Sequence, residues 1–346
     1  MTPRDLIIRY AKEAPATKAN LAFLGFSLAD VTLSHRRFGT AMTAIAKLHL
    51  AQQTYHHGGG LLISGPSGVG KSTILERYAS NFSPYAEGRQ TIIPVLKVTC
   101  PSSATANGLI SAIFDAMGFP IPSRTDLAEK TIKLCKLMKM YKVELMLLDE
   151  FQHAYYSRTL ADFRQLIDTV KNIINETKVA SVLVGLEEID EVISTNEQVA
   201  RRHSEKIEMS TFKLDDEDDF REFRAILKSY QAALVIPPEI PLYEANLARR
   251  FLIASNGNLD YLRRILEKSV EIAGFAELNQ ITQTVYAAAF RECVWKGVSD
   301  KLNPFHDESP LRQLDKPGEP FYPWHLKHAI GSPLARRNII KPTGSQ

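Results

Sequence analysis

Between residues 41 and 214, short continuous apolar runs alternate with longer stretches whose apolar side chains recur every three or four positions. The runs Leu61–Ser64, Thr91–Val98, Leu145–Leu148 and Val179–Val184 read as buried strands, with a last strand near Ile207–Met209. Residues 41–55, 72–78, 105–117, 126–141 and 162–176 carry the helical period between them. Pro94 lies inside the second run and predicts an edge position or a bend. Strands that alternate with helices need crossover connections, so the pattern predicts an α/β domain with a parallel sheet covered on both faces. After Leu214 the strand signal stops. Helical patterns follow near 216–233, 241–255, 259–273 and 279–296, and the acidic run Asp215–Asp219 sits where the first of them starts, so its charge complements the positive helix end. The resulting plan is an N-terminal extension (1–40), an α/β domain (41–214), a small all-helical domain (215–298) and a tail (299–346). The tail holds seven of the chain's eighteen prolines and little periodicity, so it reads as extended.

Composition narrows the classes. A chain of 346 residues exceeds one ordinary core and suits two compact domains with tails. The formal net charge of +3 gives no global field, so any nucleic-acid surface must come from local clustering. Cys100, Cys135 and Cys293 are far apart and form no CxxC pair, which fits reduced thiols in a cytoplasmic protein rather than a zinc site or a disulfide framework. Residues 1–18 lack the apolar segment of a signal peptide, and nowhere do enough apolar residues run together for a transmembrane helix, so no membrane association is expected.

The chemistry is concentrated in two segments. Gly65-Pro66-Ser67-Gly68-Val69-Gly70-Lys71-Ser72 fits the phosphate-loop pattern at every fixed position, after a strand and before a helix. The glycines let successive backbone N–H groups point inward at an anion, and the helix adds its positive end. Lys71 is expected to reach the β- and γ-phosphates of ATP, the Ser72 hydroxyl to ligate Mg²⁺, and Thr73 to border the nucleotide. The second segment, Glu144–Glu150, is an apolar strand ending in two carboxylates. Asp149 is the expected Mg²⁺ partner and Glu150 the base that polarises the attacking water; the alternative is that the pair only caps the following helix. His153 either contacts this site or packs.

With Gly65–Ser72, the segment Leu147-Leu148-Asp149-Glu150-Phe151-Gln152-His153 and the strand end Val182-Leu183-Val184-Gly185-Leu186-Glu187, the chain resembles AAA+ ATPases and, more narrowly, the TniB/TnsC-type transposition regulators. The similarity runs over roughly residues 30–275. It implies an AAA+ P-loop NTPase core followed by a helical lid. It also implies a bacterial cytoplasmic ATPase that assembles as a ring or filament on double-stranded DNA. Such a protein passes a target-site signal to transposase subunits from a targeting protein or an RNA-guided complex, as in CRISPR-associated or related transposons. The resemblance places an arginine finger at Arg201 or Arg202 in Val199-Ala200-Arg201-Arg202-His203; an exposed arginine pair is the alternative. It places a second sensor near Asp260, so that Arg263 is either that sensor or an ordinary helix-surface arginine, and it leaves the first sensor open, because the family often carries a small polar residue near Leu186.

Two further features bear on partners. Arg124, Lys130, Lys133, Lys136, Lys139 and Lys142 recur through one predicted helix and its ends, with apolar residues between them. Steps of three wind slowly round a helix, so the stripe either follows a phosphate backbone or forms an ordinary solvated face. Ser103 and Thr105, in the loop after the second strand, are further candidates for phosphate contacts. No base-reading motif is present, so duplex binding is expected to be sequence-neutral. In the tail, Phe321–Leu326 and Arg336-Arg337 either dock on a partner or fold back on their own domain. Two competing readings share the site residues: another AAA+ loader or initiator-like ATPase, such as a helicase loader, and a nucleotide-regulated interaction module with little turnover.

Overall fold

The computed structural model describes residues 23–322, except 24, 32, 34, 57, 103, 123, 124, 157, 158 and 195. The chain divides into two compact units: residues 36–210, and residues 211–322 together with the described part of 23–35.

The first unit is built on five parallel strands: β1 (Gly60–Ser64), β4 (Val95–Thr99), β5 (Leu145–Asp149), β6 (Ala180–Gly185) and β7 (Glu205–Glu208). Their order across the sheet is β4-β5-β6-β1-β7. Strands β1, β5 and β6 are buried at every position, as strands covered on both faces must be, and that is why they read as continuous apolar runs. Alternate side chains serve opposite faces. Leu61, Ile63, Leu145, Leu147, Val182 and Val184 pack with helices α1 (Arg36–Tyr55) and α2 (Lys71–Ser80). Leu62, Met146, Leu148 and Leu183 pack on the other side with α3 (Ala106–Ala116), α4 (Leu127–Met140) and α5 (Leu160–Thr177). The product is a three-layer α/β/α sandwich.

Two strand expectations are corrected. The run Thr91–Val98 is not one strand. Its first part, β3 (Gln90–Ile92), pairs antiparallel with β2 (Tyr85–Glu87) in a separate hairpin, and the sheet strand begins after Pro94. Proline offers no N–H to a ladder, and here its carbonyl accepts from the N–H groups of Glu144 and Leu145 at 2.9 and 3.0 Å. The last strand is Glu205–Glu208, an edge with exposed charged side chains that discourage pairing with another chain, so its apolar signal is faint.

The second unit packs α8 (Glu217–Ala233), α9 (Ala245–Ser255), α10 (Leu259–Phe275) and α11 (Gln283–Cys293) around an aromatic core containing Phe223, Phe251, Tyr286 and Phe290. Asp216 caps α8 by accepting from the N–H groups of Asp218 and Asp219, and the acidic first turn lies at the positive helix end, as expected. Phe23 and Leu28 join this core, so residues near the start of the chain pack with the helical unit.

Residues 299–322, expected as part of an extended tail, fold onto the same unit. Phe305 sits edge-on to Phe251 with ring centroids 4.9 Å apart, and Leu314 is buried. Arg250 donates to the carbonyls of Pro304 and His306 at 2.6 and 2.9 Å, and Asn303 donates to the Ala287 carbonyl at 2.9 Å. Side-chain bonds to irregular backbone hold this segment, which is why hydropathy periodicity does not reveal it. Phe321 and Tyr322 belong to it, whereas Pro323–Leu326 and Arg336-Arg337 lie outside the described residues, as does most of the N-terminal extension. Among the described residues no helix is long and apolar enough to cross a membrane.

Candidate nucleotide site

The phosphate loop leaves the carboxyl end of β1 and enters α2. Gly65, Gly68 and Gly70 all have positive φ, and Gly70 is the N-cap residue of α2. Val69 is buried in the core beneath the loop, so it anchors the turn and can meet a ligand only through its backbone. Ser67 and Thr73 are exposed, while Pro66 and Ser72 are half-buried. The Lys71 ammonium folds back onto the loop and donates to the carbonyls of Gly65 and Pro66, each at 2.7 Å. Burial pushes the Lys71 pKa down from its ordinary value, opposed by the carboxylates of Glu150, Asp149, Glu187 and Glu188. A half-desolvated cation resting on carbonyls, amid carboxylates, is suited to an anionic ligand such as a triphosphate.

Sheet register brings the second segment alongside. Ser64 pairs with Gly185 across β1 and β6, and Leu148 pairs with Leu183 across β5 and β6. Asp149 therefore ends its strand two strands away from the phosphate loop, about 10 Å at ordinary strand spacing. This is the carboxyl edge of an open parallel sheet, where such folds bind ligands. Asp149 is only 4% exposed, and its Oδ1 accepts from the Glu150 N–H at 2.9 Å.

Glu150 has φ 55°, a left-handed conformation that a non-glycine residue holds at a cost of about 1–2 kcal/mol. The turn breaks the line of β5, so Glu150 does not continue the strand's alternation. Gln152, which sequence reasoning left without a role, is buried beside it. Its Nε2 donates to Glu150 Oε2, and its Oε1 accepts from the Leu186 N–H at 3.2 Å. An amide residue two positions after the second carboxylate was the available signal. His153 is half-buried, and its backbone N–H donates to the Glu150 carbonyl at 3.0 Å.

The donor set fits magnesium. Ser72 after the loop and Asp149 at the end of β5 offer hard oxygen ligands, and among the described residues no cluster of three or more His, Cys, Asp or Glu side chains forms a metal cage. Magnesium takes one or two protein oxygens and completes its shell with phosphates and water.

Arg201 and Arg202 end the short helix α7 (Glu197–Arg202), after α6 (Ile189–Ser194). Arg201 is exposed, with Glu197 3.9 Å away, and Arg202 is half-buried. Together with Lys171, Asn175, Gln198 and His203 they line a cavity of about 420 Å³. His203 ties this helix end to the sheet. Its Nδ1 lies 3.0 Å from the Val199 carbonyl, which demands an N–H there, so Nε2 accepts from the Ser181 hydroxyl at 2.9 Å. Burial pushes the His203 pKa down from 6.5 to about 4, partly offset by the Val199 carbonyl. The fold therefore holds His203 neutral. Its contribution to stability is full above pH 6.5 and declines as the pH falls from there to about 4. Between pH 7 and pH 5 the wild type should lose about 2 kcal/mol of stability that His203→Gln does not lose, measured by chemical denaturation at both pH values. Equal losses in the two proteins would refute the assignment.

The remaining predicted residues lie elsewhere. Arg263 is on α10 in the helical unit, where it bonds Asp260 at 2.8 Å and Glu267 at 3.3 Å, so its charge is met by its own helix. Thr105 caps α3 by accepting from the Gly108 N–H at 3.0 Å. Ser103 and Arg124 lie outside the described residues. The lysine stripe crosses α4 obliquely. Lys130 reaches Asn107 of α3 at 3.2 Å, Lys139 approaches Glu176 of α5 at 3.7 Å, and Lys142 pairs with Glu87. Lys133 and Lys136 are exposed and have no ion-pair partner among the described residues.

Against this geometry, comparison with protein families finds a match to TniB, described as bacterial TniB protein, over residues 26–214. The chain belongs to the TniB family. No curated protein sequence matches it. Among solved structures, the Aeropyrum pernix ORC2 protein in ADPNP–ADP complexes is similar at 16% identity with a TM-score of 0.58, over 82% of this chain and 73% of that one. CDC6p from Pyrobaculum aerophilum is similar at 13% identity with a TM-score of 0.58, over 80% and 72% of the two chains. The Aeropyrum pernix ORC1 protein in complex with DNA is similar at 15% identity with a TM-score of 0.56, over 80% and 69%. At these identities the likeness concerns the fold: this TniB-family chain has an AAA+ P-loop NTPase core, a parallel five-stranded sheet flanked by helices, followed by a helical region.

Proposed function

We propose that this TniB-family chain is an ATPase that assembles on double-stranded DNA in its ATP-bound state and regulates transposition by linking a target-selection factor to transposase subunits. The observation that carries the reading is the meeting of Lys71, Asp149 and Glu150 at one edge of the sheet in a TniB-family chain. Lys71 leaves its two loop carbonyls for the β- and γ-phosphates of ATP, and the backbone N–H groups of residues 67–73 hold the rest of the triphosphate. Ser72 and Asp149 would hold Mg²⁺, which when bound neutralises phosphate charge. Glu150 orients and deprotonates the attacking water.

Arg201 or Arg202 acts on the site of a neighbouring copy, where a guanidinium stabilises charge developing on the γ-phosphate. Assembly then depends on ATP because loop and finger belong to different chains, and hydrolysis releases the assembly. The stripe Lys130–Lys139, with Arg124, Ser103 and Thr105, meets the phosphate backbone without reading sequence. Lys133 and Lys136 are its strongest members, since Lys139 and Lys142 have carboxylates beside them.

The test is duplex binding by fluorescence anisotropy with ATP, with a slowly hydrolysed analogue and with no nucleotide. Binding should require nucleotide, steepen with duplex length and weaken steeply with salt. Lys133→Glu/Lys136→Glu should weaken it by about tenfold or more at moderate salt and flatten the salt dependence, while nucleotide affinity stays unchanged. Absence of DNA binding in every nucleotide state would shift the reading to a loader that acts on protein partners.

A further inference from the structure

The segment after β5 carries a buried primary amide that phosphate-loop chemistry leaves unexplained. Gln152 is 3% exposed. An amide in such a place costs on the order of 1–3 kcal/mol unless its groups are bonded, so its two contacts matter. Nε2 donates to Glu150 Oε2, and Oε1 accepts from the Leu186 N–H at 3.2 Å. Chemistry fixes this orientation: the flipped amide would turn its carbonyl to a carboxylate and its NH₂ to an N–H.

The neighbourhood is built for the same contact. A Cβ at Gly185 would stand 2.5 Å from Gln152 Oε1 and 3.0 Å from the Gln152 backbone nitrogen, so only glycine at the end of β6 leaves room for the amide. Gln152 thus spans from the backbone at the end of β6 to the carboxylate beyond the end of β5.

Glu150 sits on a left-handed turn and has three free side-chain torsions. One neutral donor on Oε2 fixes the carboxylate plane and leaves Oε1 open to a water. We propose that Gln152 is the positioning residue of the hydrolytic carboxylate, holding Glu150 in register with the end of β6. The role rests on the reading of Glu150 as the base of an ATPase.

The test uses the full chain with ATP and duplex DNA, and begins with wild type against Glu150→Gln. Equal turnover there would remove the hydrolytic reading and the positioning role with it. Where Glu150 proves necessary, Gln152→Met keeps the length and volume of the side chain but makes neither bond. Its kcat should fall about 10- to 100-fold, with KM for ATP and nucleotide Kd within about threefold of wild type. Gln152→Glu can still accept from Leu186 but has nothing to donate to Glu150, so its kcat should fall at least as far. In a Glu150→Gln background, Gln152→Met should lower the residual rate no further, since the two residues act as one unit. A wild-type kcat in Gln152→Met, or additive losses in the double variant, would overturn the proposal. So would a fall in nucleotide affinity and melting temperature that matches the fall in kcat in both Gln152 variants, because a merely structural residue would give that result.

Discussion

Glu150→Gln is expected to bind ATP as the wild type does and to turn it over about a hundredfold to ten-thousandfold more slowly, the range for loss of a general base. The substitution is nearly isosteric and leaves the Asp149 and Lys71 positions untouched. What it removes is the ability to take a proton from water. The amide also changes the local bonding, because its NH₂ can face Gln152 Nε2, two donors in opposition where a donor and a carboxylate now meet. The variant amide can turn its carbonyl to Gln152 and satisfy that bond, so folding should survive. Nucleotide affinity should therefore stay within about threefold, and complexes formed with ATP and DNA should persist longer than those of the wild type. Turnover by phosphate release and affinity by a fluorescent nucleotide separate the two effects. A variant that hydrolyses ATP at the wild-type rate would show that Glu150 is not the base.

The contrast with Asp149 explains why two adjacent carboxylates can do different work. Asp149 ends a strand buried at every position, with its backbone carbonyl accepting from the Cys100 N–H at 2.9 Å and its side chain accepting from the next N–H. It is held in place at the end of its strand. Glu150 follows on a left-handed turn and carries one more methylene, so its carboxylate reaches further from the sheet edge. Rigidity suits a metal ligand and reach suits a base. The sheet supplies both by ending between them.

Much of this site was legible in the chain because its parts are local. The spacing of Gly65, Gly70, Lys71 and Ser72 marks a phosphate-loop pattern within eight consecutive positions, and an apolar strand ending in Asp149-Glu150 announces a carboxylate at a sheet edge. The α/β order was legible for the same reason, since strands buried on both faces must be apolar throughout. What escaped depends on contacts between distant segments. Gln152 gains its role only when β6 brings Leu186 beside it, 34 positions along the chain. His203 gains its role only when Ser181 lies under it. The strand at Glu205–Glu208 has a charged edge face and so no apolar run to find. The segment 299–322 is held by Arg250 and Asn303 through backbone carbonyls, a mode of packing that leaves no periodicity.

Gly65→Ala should abolish nucleotide binding, lowering affinity by at least about a hundredfold, or about 2.7 kcal/mol. Gly65 has φ 153° and passes directly beneath the strand-end residue Met209. A Cβ there would lie 2.0 Å from the Met209 carbonyl oxygen and 2.9 Å from its carbon, both backbone atoms that cannot swing aside. Met209 is itself fixed, since its N–H donates to the Ser64 carbonyl at 2.7 Å and its side chain is buried in the core. The loop must therefore give way, and with it the Gly65 carbonyl on which Lys71 rests. The displacement should reach the ammonium and the N–H groups that hold phosphates together. Gly88→Ala provides the comparison. Gly88 also has positive φ, at 65°, but a Cβ there meets nothing within 4 Å, so its cost should be the backbone term alone, about 1 kcal/mol, with affinity unchanged. Titration of a fluorescent ATP analogue into both variants, with melting temperature recorded alongside, distinguishes the two. Wild-type affinity in Gly65→Ala would mean that the loop can move away from Met209 without disturbing the phosphate cradle, and the coupling between sheet edge and Lys71 drawn from this geometry would be wrong.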